Sequence, residues 1–402
     1  MNRELTFESI LRRDNNWILF KELYKDRLPE HVFKETEKML ACRTQDCGFA
    51  TYICPHCGKI KVIHFSCKSK LCSCCGKKHT DIWSHTMAEK LLNCDHRHIV
   101  LTISDKLWPF FIHNPERQKL LLNSAAKIIK DIFSQKQPLT IGMVLVLHPF
   151  GDDLKQNFHV HAIVSCGGLS KDLSQFVPVD YIDYNVIRKT WQYTILTALR
   201  EHSQNLDPKL NVIIDWCFKS LTNGFVIFAD SIIKKNKKEV LRYIARYTKH
   251  PPISNRRIID YNGSSVTFTY ESKGEELTKS MPKLEFILAV LQHTSSKHFK
   301  IIRRFGLYSR RSSTKYQTAV SLLEPQMAMP FLKFSWRFNL TEYNGHDPLR
   351  CDSCNTELHL WSITYWDNCG LPKTIPQDEP WYNQLPFRST QNVRENCQIH
   401  LY

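Results

Sequence analysis

The period of the apolar positions changes twice along this chain. Residues 8–24 and 30–41 carry apolar side chains at helical spacing, broken by Pro29, and both stretches are expected to pack against the module that follows. From 42 to 80 aliphatic residues thin out, while Cys, Lys and Gly become frequent. A segment so poor in apolar surface does not fold unaided, so a bound ion is expected to supply its core. Strand and helix patterns then take over. Residues 98–103, 141–147, 158–164, 224–229 and 265–270 read as strands, and 119–133, 185–202 and 237–248 as helices. Strands and helices that mix without strict βαβ alternation predict an α+β fold. Beyond about 320 the periodicity weakens and Pro, Trp and Asn become common. A chain of 402 residues exceeds one ordinary core, and these shifts divide it into 1–94, 95–320 and 321–402.

Composition narrows the chemistry. Lys and Arg number 55 against 39 Asp and Glu, a formal charge of +16, which favours a polyanionic partner through counterion release. No apolar run reaches the roughly 18 residues of a membrane span, and the polar start, Met1 to Glu8, is no secretory signal. A cytoplasmic setting is expected, where clustered cysteines bind metal rather than pair as disulfides. Nine of the 15 cysteines fall between Cys42 and Cys94. Cys54-Pro-His-Cys57 and Cys72-Ser-Cys-Cys75 form two Cys-x2-Cys pairs with 14 residues between them, each followed by a glycine. Two such turns supply the four thiolates of a tetrahedral structural zinc site, and Cys54, Cys57, Cys72 and Cys75 are the expected ligands. Cys42, Cys47, Cys67, Cys74, His56, His64 and His79 lie close by, so a second ion or a ligand exchange with Cys67 is the alternative. Lys59, Lys61, Lys68, Lys70, Lys77 and Lys78 are interleaved with the ligands, as on a nucleic-acid-binding face. In the tail, Cys351 and Cys354 have no matching second pair; His359 and Cys369 are the nearest candidates, and no site is assigned there.

Phe158-His159-Val160-His161 places two histidines at i and i+2 of a strand, facing one way, with Val160 toward the core. Side by side, two imidazoles hold one divalent ion. His148, Asp152, Asp153 and Gln156 are upstream candidates for a third ligand, with His148 or Gln156 preferred. Gly167-Gly168 is expected to end the strand and leave room for a substrate backbone. Along 239–249 a helix stopped by Pro251 and Pro252 carries Tyr243 and Tyr247 on one face, among Arg242, Arg246 and Lys249. Nearby cations favour phenolate and bind phosphate. Arg256, Arg257, Arg303 and Arg304 extend the basic set, with aromatics suited to stacking on single-stranded nucleic acid.

These motifs, in this order, resemble the insertion-sequence-ninety-one-like rolling-circle transposases of the HUH (His-hydrophobe-His) endonuclease superfamily. The resemblance rests on the cysteine module ending at Cys75, the strand from His98, the His159/His161 strand, and Arg242-Tyr-Ile-Ala-Arg-Tyr-Thr248 running on to Ile258. It implies a zinc-binding DNA-recognition domain over 1–94 and a catalytic domain over 95–320, with a central antiparallel sheet flanked by helices. The tail matches nothing clearly. It also implies Mg²⁺ or Mn²⁺ held by His159, His161 and a third ligand, and attack by Tyr243 or Tyr247 on single-stranded DNA at the ends of the protein's own mobile element. The product would be a 5′-phosphotyrosine, formed on nucleoid DNA without ATP. A plasmid replication initiator or relaxase shares this chemistry but not the zinc module. A zinc-dependent regulator without catalysis would lack the histidines or tyrosines, and all four are present. No His-Glu-x-x-His helix points to a zinc hydrolase.

Overall fold

The computed structural model describes residues 5–376 apart from 74, 77–82, 84–86, 88–89, 136, 180–181, 205, 230–231, 234–250, 273, 297, 325–336, 338–340, 342–344 and 368. The helix expected over 237–248, with Tyr243, Tyr247, Arg242, Arg246 and Lys249, lies outside the described residues. Helices and antiparallel sheets make the α+β fold that the pattern predicts.

The chain forms two compact units, and both are discontinuous in sequence. One comprises Met1–Phe33 with Lys77–Met329, the other Lys34–Gly76 with Pro330–Tyr402. This differs from the expected three-part division at both ends of the chain. The lead helices Phe7–Arg12 and Asn16–Tyr24, separated by Asp14 and Asn15 at positive φ, belong to the first unit. Phe7 meets Phe286 edge-on at 6.1 Å, and Asn16 donates to the Tyr261 hydroxyl at 2.8 Å. Residues 8–24, expected to cover the cysteine module, therefore pack on helix Lys283–Leu291 and its neighbouring hairpin instead, whereas residues 34–41 belong to the unit that contains the cysteine module.

The first unit is built on a sheet in which β4 (Leu139–Phe150) and β5 (Gln156–Ser170) are flanked by β3 (His96–Thr102), β7 (Ile227–Ala229) and β11 (Ile302–Gly306), in the order β11-β4-β5-β3-β7. Short β6 (Phe176–Pro178) pairs with the far end of β5. Every pairing is antiparallel. Side chains alternate across such a sheet, and the sequence obeys that rule strand by strand. Ile99 and Leu101 of β3, Met143, Leu145 and Leu147 of β4, and Phe158, Val160, Ala162 and Val164 of β5 enter one core. Helices Pro115–Phe133 and Tyr184–His202 cover that face with Leu122, Ile129, Trp191 and Ile195. The opposite face is covered at one end by Leu91, Leu92, Tyr308 and Ala319 against Val144, Ile163 and Leu169. His148, His159 and His161 share this second face by the same alternation.

Two helices begin where the apolar pattern did not place a start, at Pro115 rather than 119 and at Pro208, where no helix is expected. Asn114 and Asp207 accept from the amides of Arg117 and Leu210, each with proline at the first helical position. Gly167 and Gly168 do not end β5. A Cβ on Gly167 would lie 2.5 Å from the Phe176 ring, and one on Gly168 2.9 Å from the Thr140 carbonyl, so these glycines let neighbouring strands close in. A three-stranded meander of β8 (Ile258–Tyr261), β9 (Ser265–Ser272) and β10 (Glu275–Pro282) completes the described part of this unit.

Gly306 terminates β11 at φ +56°, where a Cβ would sit 1.7 Å from the Ile141 carbonyl oxygen. Gly306→Ala is expected to destabilise this unit by at least about 2 kcal/mol, since left-handed strain and a backbone clash add. Gly263→Ala, at φ +89° in open space, should cost only about 1 kcal/mol. Urea unfolding midpoints of the two variants should differ in that order.

Candidate metal centres and catalytic face

Antiparallel register sets His148 of β4 directly opposite His159 of β5. His161 follows two residues later on the same face. The result is a cluster of three imidazoles at one end of a buried sheet. The Nε2 atoms of His159 and His161 are 2.9 Å apart, and His148 Nδ1 is 3.3 Å from His159 Nε2. Three nitrogens that ligate one ion at about 2.1 Å in adjacent positions are separated by about 3.0 Å, so the spacing fits a shared ion.

A backbone carbonyl sets the tautomer of His159. His159 Nδ1 donates to the Asn157 carbonyl at 2.7 Å, which turns its Nε2 lone pair toward the cluster. His161 Nδ1 lies 3.0 Å from His98 Nε2, with the two rings stacked at an interplanar angle of 7°. Burial pushes the His159 pKa down, and burial followed by the neighbouring His159, His148 and His98 pushes His161 well down. Both rings are therefore held neutral at physiological pH. Neutral imidazoles offer ring-nitrogen lone pairs, so the three residues could together hold a metal ion.

Of the two preferred third ligands, His148 is brought to the pair and Gln156 is not. Gln156 shares the parity of Phe158 and Val160, on the other face of β5, and its amide donates to Gln292 at 3.4 Å. Asp152 and Asp153 lie in the β4–β5 turn: Asp152 pairs with Arg257 at 3.9 Å and Asp153 with Lys155 at 3.3 Å. His98 is a residue that the sequence reading passed over. Its signal was its position on β3 beside β5, visible only once strand register is known.

The single tetrad expected from Cys54, Cys57, Cys72 and Cys75 does not assemble. Cys72 and Cys75 converge instead with Cys42 and Cys67, and Cys54 and Cys57 with Cys351 and Cys354. In the first group, Cys75 Sγ lies 3.6 Å from both Cys42 Sγ and Cys67 Sγ, and Cys72 Sγ is 3.8 Å from Cys42 Sγ. Those distances match the about 3.8 Å edge of a tetrahedron with metal–sulfur bonds of about 2.3 Å. None of the described cysteines is in a disulfide. The two pairs part because Cys54 and Cys57 end a hairpin of β1 (Phe49–Ile53) and β2 (Ile60–His64), whereas Cys72 and Cys75 belong to the segment after it. Cys67, weighed as an exchange ligand, stands among the first four.

The basic residues separate in the same way. Arg256 is exposed, but Arg257 donates to the carbonyls of Thr269, at 2.7 Å, and Asp152, and so ties the β4–β5 turn to β9. Arg303 and Arg304 point to opposite faces of β11. Arg303 donates to Asn123 at 2.7 Å on the helical side, while Arg304 reaches Met87 on the histidine side. Lys59 donates to Ser353 at 2.8 Å and Lys61 pairs with Asp352 at 3.1 Å, so two lysines of the cysteine module engage the C-terminal stretch.

Two family profiles match the chain. One, described as "Transposase zinc-binding domain", covers residues 14–103, and one described as "Putative transposase" covers residues 142–315. The "Transposase for insertion sequence element IS801" of Pseudomonas savastanoi pv. phaseolicola is 30% identical over 343 residues, 80% of this chain and 81% of the relative. The "Putative transposase y4qJ" of Sinorhizobium fredii is 24% identical over 339 residues, 78% of this chain and 84% of that protein. No solved structure matches. With its zinc-binding and transposase segments in the same order, and with similarity to an insertion-sequence transposase along four-fifths of its length, the chain belongs to the IS91-like transposases.

Proposed function

We propose that this transposase cuts and rejoins single-stranded DNA at the ends of its own mobile element, in the rolling-circle manner, through a covalent tyrosine intermediate. The observation that carries this reading is the convergence of His148, His159 and His161 on one sheet face. In the proposal these three residues hold a divalent ion, Mn²⁺ or Mg²⁺, which when bound polarises the scissile phosphate. Three imidazoles are softer donors than the oxygens that Mg²⁺ prefers, so Mn²⁺ is the better fit. Tyr243 or Tyr247 supplies the nucleophile: its phenolic oxygen bonds to phosphorus in line with the departing 3′ oxygen, which leaves as a hydroxyl after taking a proton. The 5′-phosphotyrosine keeps the energy of the cleaved phosphodiester, so the reverse attack by a 3′-hydroxyl rejoins strands without ATP. Arg242, Arg246, Lys249 and Arg256 are the cations proposed to hold phosphates. Arg304 shares the histidine face and completes that set. Zinc at Cys42, Cys67, Cys72 and Cys75 braces the domain proposed to recognise DNA, and the protein is proposed to act in the cytoplasm on nucleoid DNA.

Covalent capture tests the reaction. Protein incubated with Mn²⁺ and labelled single-stranded DNA carrying the element's ends should give an adduct on a denaturing gel. The adduct should disappear in Tyr243→Phe, in Tyr247→Phe or only in the double variant, which identifies the nucleophile. Mn²⁺ should support it at lower concentration than Mg²⁺. His159→Ala with His161→Ala should abolish cleavage while DNA binding changes less than about threefold; nicking retained in that pair would defeat the metal assignment. Absence of any adduct, with zinc-dependent DNA binding intact, would favour a non-catalytic DNA-binding protein.

His98 acts through His161, as a positioning residue. His98→Phe should keep the fold and raise the Mn²⁺ concentration needed for half-maximal cleavage by about 10- to 100-fold, the range for loss of a hydrogen bond behind a ligand. Cleavage at saturating Mn²⁺ should recover most of its rate. A fall in rate with no change in the Mn²⁺ midpoint would show that His98 does not orient the ligand.

A further inference from the structure

We infer that the zinc-binding unit holds a second zinc ion, ligated by Cys54 and Cys57 from the N-terminal part of the chain and by Cys351 and Cys354 from the C-terminal part. The zinc-binding profile ends at residue 103, so half of this ligand set lies far outside it.

The geometry of the four sulfurs is the first argument. Cys54 Sγ is 3.4 Å from Cys354 Sγ, and Cys57 Sγ is 3.7 Å from both Cys351 Sγ and Cys354 Sγ. These separations are far beyond the about 2.05 Å of a disulfide and close to the about 3.8 Å edge of a zinc–thiolate tetrahedron. Four thiols do not crowd a single point for packing alone, least of all where Cys57 is exposed to solvent.

A second argument comes from the backbone, independently of the sulfurs. In the N-terminal pair the Gly58 amide donates to the Cys54 carbonyl at 2.9 Å, the Cys54 amide donates to the Lys59 carbonyl at 2.9 Å, and Gly58 has φ +69°. In the C-terminal pair the Asn355 amide donates to the Cys351 carbonyl at 2.9 Å, the Cys351 amide donates to the Thr356 carbonyl at 2.9 Å, and Asn355 has φ +58°. The same two hydrogen bonds at the same offsets, closed by a left-handed residue after the second cysteine, make two equivalent metal knuckles. Asn tolerates the left-handed conformation better than any other residue except Gly, which explains why the tail's knuckle lacks the glycine that marks the other.

The sheet then brings the knuckles together. β12 (His359–Trp366) pairs antiparallel with β1, with Ile53 opposite His359, and β13 (Pro372–Pro376) extends the sheet to the order β13-β12-β1-β2. Cys54 directly follows β1, and Cys351 and Cys354 precede β12, so the pairing delivers both knuckles to one end. The Lys59–Ser353 and Lys61–Asp352 contacts reinforce the match. Zinc there cross-links positions 294 residues apart, and the chain between them leaves this unit for the other and returns.

The test uses the intact wild-type chain. Metal analysis should find two zinc ions per chain. Alkylation with N-ethylmaleimide, mapped by mass spectrometry, should spare Cys54, Cys57, Cys351 and Cys354 together, while exposed Cys369 reacts. Because Cys57 is exposed, its protection requires a metal rather than burial, and stripping with a chelator should make all four reactive. In Cys351→Ser with Cys354→Ser, zinc should fall from two to one, with Cys54 and Cys57 newly reactive and Cys42, Cys67, Cys72 and Cys75 still spared. One zinc per wild-type chain, iron in place of the second zinc, or alkylation of Cys351 and Cys354 while Cys54 and Cys57 stay protected would overturn the inference. None of these readouts involves DNA cleavage, so the outcome is separate from that of the proposed reaction.

Discussion

Strict alternation of side chains along β5 is the constraint on which the catalytic unit depends, because one strand serves two environments at once. Its even positions from Phe158 to Val164 are locked into the core beneath helices Pro115–Phe133 and Tyr184–His202. Its odd positions, His159 and His161, are thereby aimed at the opposite face and nowhere else. Apolar burial is worth roughly 1.5–3 kcal/mol for each large side chain, so a slip of one residue, which would exchange the faces, is heavily penalised. That penalty holds two imidazoles in a fixed juxtaposition, with their Nε2 atoms 2.9 Å apart. The fold energy of one face thus pre-organises the ligands of the other, and His148 joins them because the register of β4 is fixed by the same core.

The second unit solves a different problem. Among the described residues its sheet core is small, with Ala50, Tyr52, Leu358 and Ile363 buried and Ile63, Phe65, Leu349, Leu360 and Tyr365 packed against them. Cys54 and Cys351 are buried in that same cluster, so the thiolate groups occupy the place where a larger domain would put aliphatic side chains. Metal–thiolate bonds take over the role of core, and the sparse apolar content of residues 42–80 is the compositional trace of that exchange.

What the sequence made legible follows from the range of each interaction. Local features were readable: the strands around 141–147 and 158–164, the helices over 119–133 and 185–202, the two-residue offset of His159 and His161, and the presence of metal ligands in the cysteine module. Partnerships across the chain were not. Cys-x2-Cys turns look alike in sequence, so proximity suggested pairing 54/57 with 72/75. Strand pairing of β1 with β12, more than 300 residues away, decides otherwise. The pair Cys351 and Cys354 in the tail was visible, but its partner pair was not, because Cys54 and Cys57 lie some 300 residues away. For the same reason His98 was read as the opening of a strand and its contact with His161 was invisible. The lead helices were assigned to the nearest module in sequence, when their apolar stripe covers helix Lys283–Leu291.

Charge shows the same gap between count and use. A net +16 marks a polyanion-binding protein, yet several cations in the cysteine module and the catalytic unit are engaged in internal structure. Arg257 closes a turn, Arg117 pairs with Asp207 at 2.9 Å beside a helix cap, and Lys59 and Lys61 hold the C-terminal knuckle. Each of these is screened or geometrically occupied, and a phosphate that recruited it would first have to break the existing contact. Arg256 differs in being exposed, and Arg304 in lying on the sheet face that bears the three imidazoles. On the proposed reading, a DNA strand drawn to that face would meet positive charge and the metal-holding imidazoles together, the arrangement that in-line attack on a phosphodiester requires.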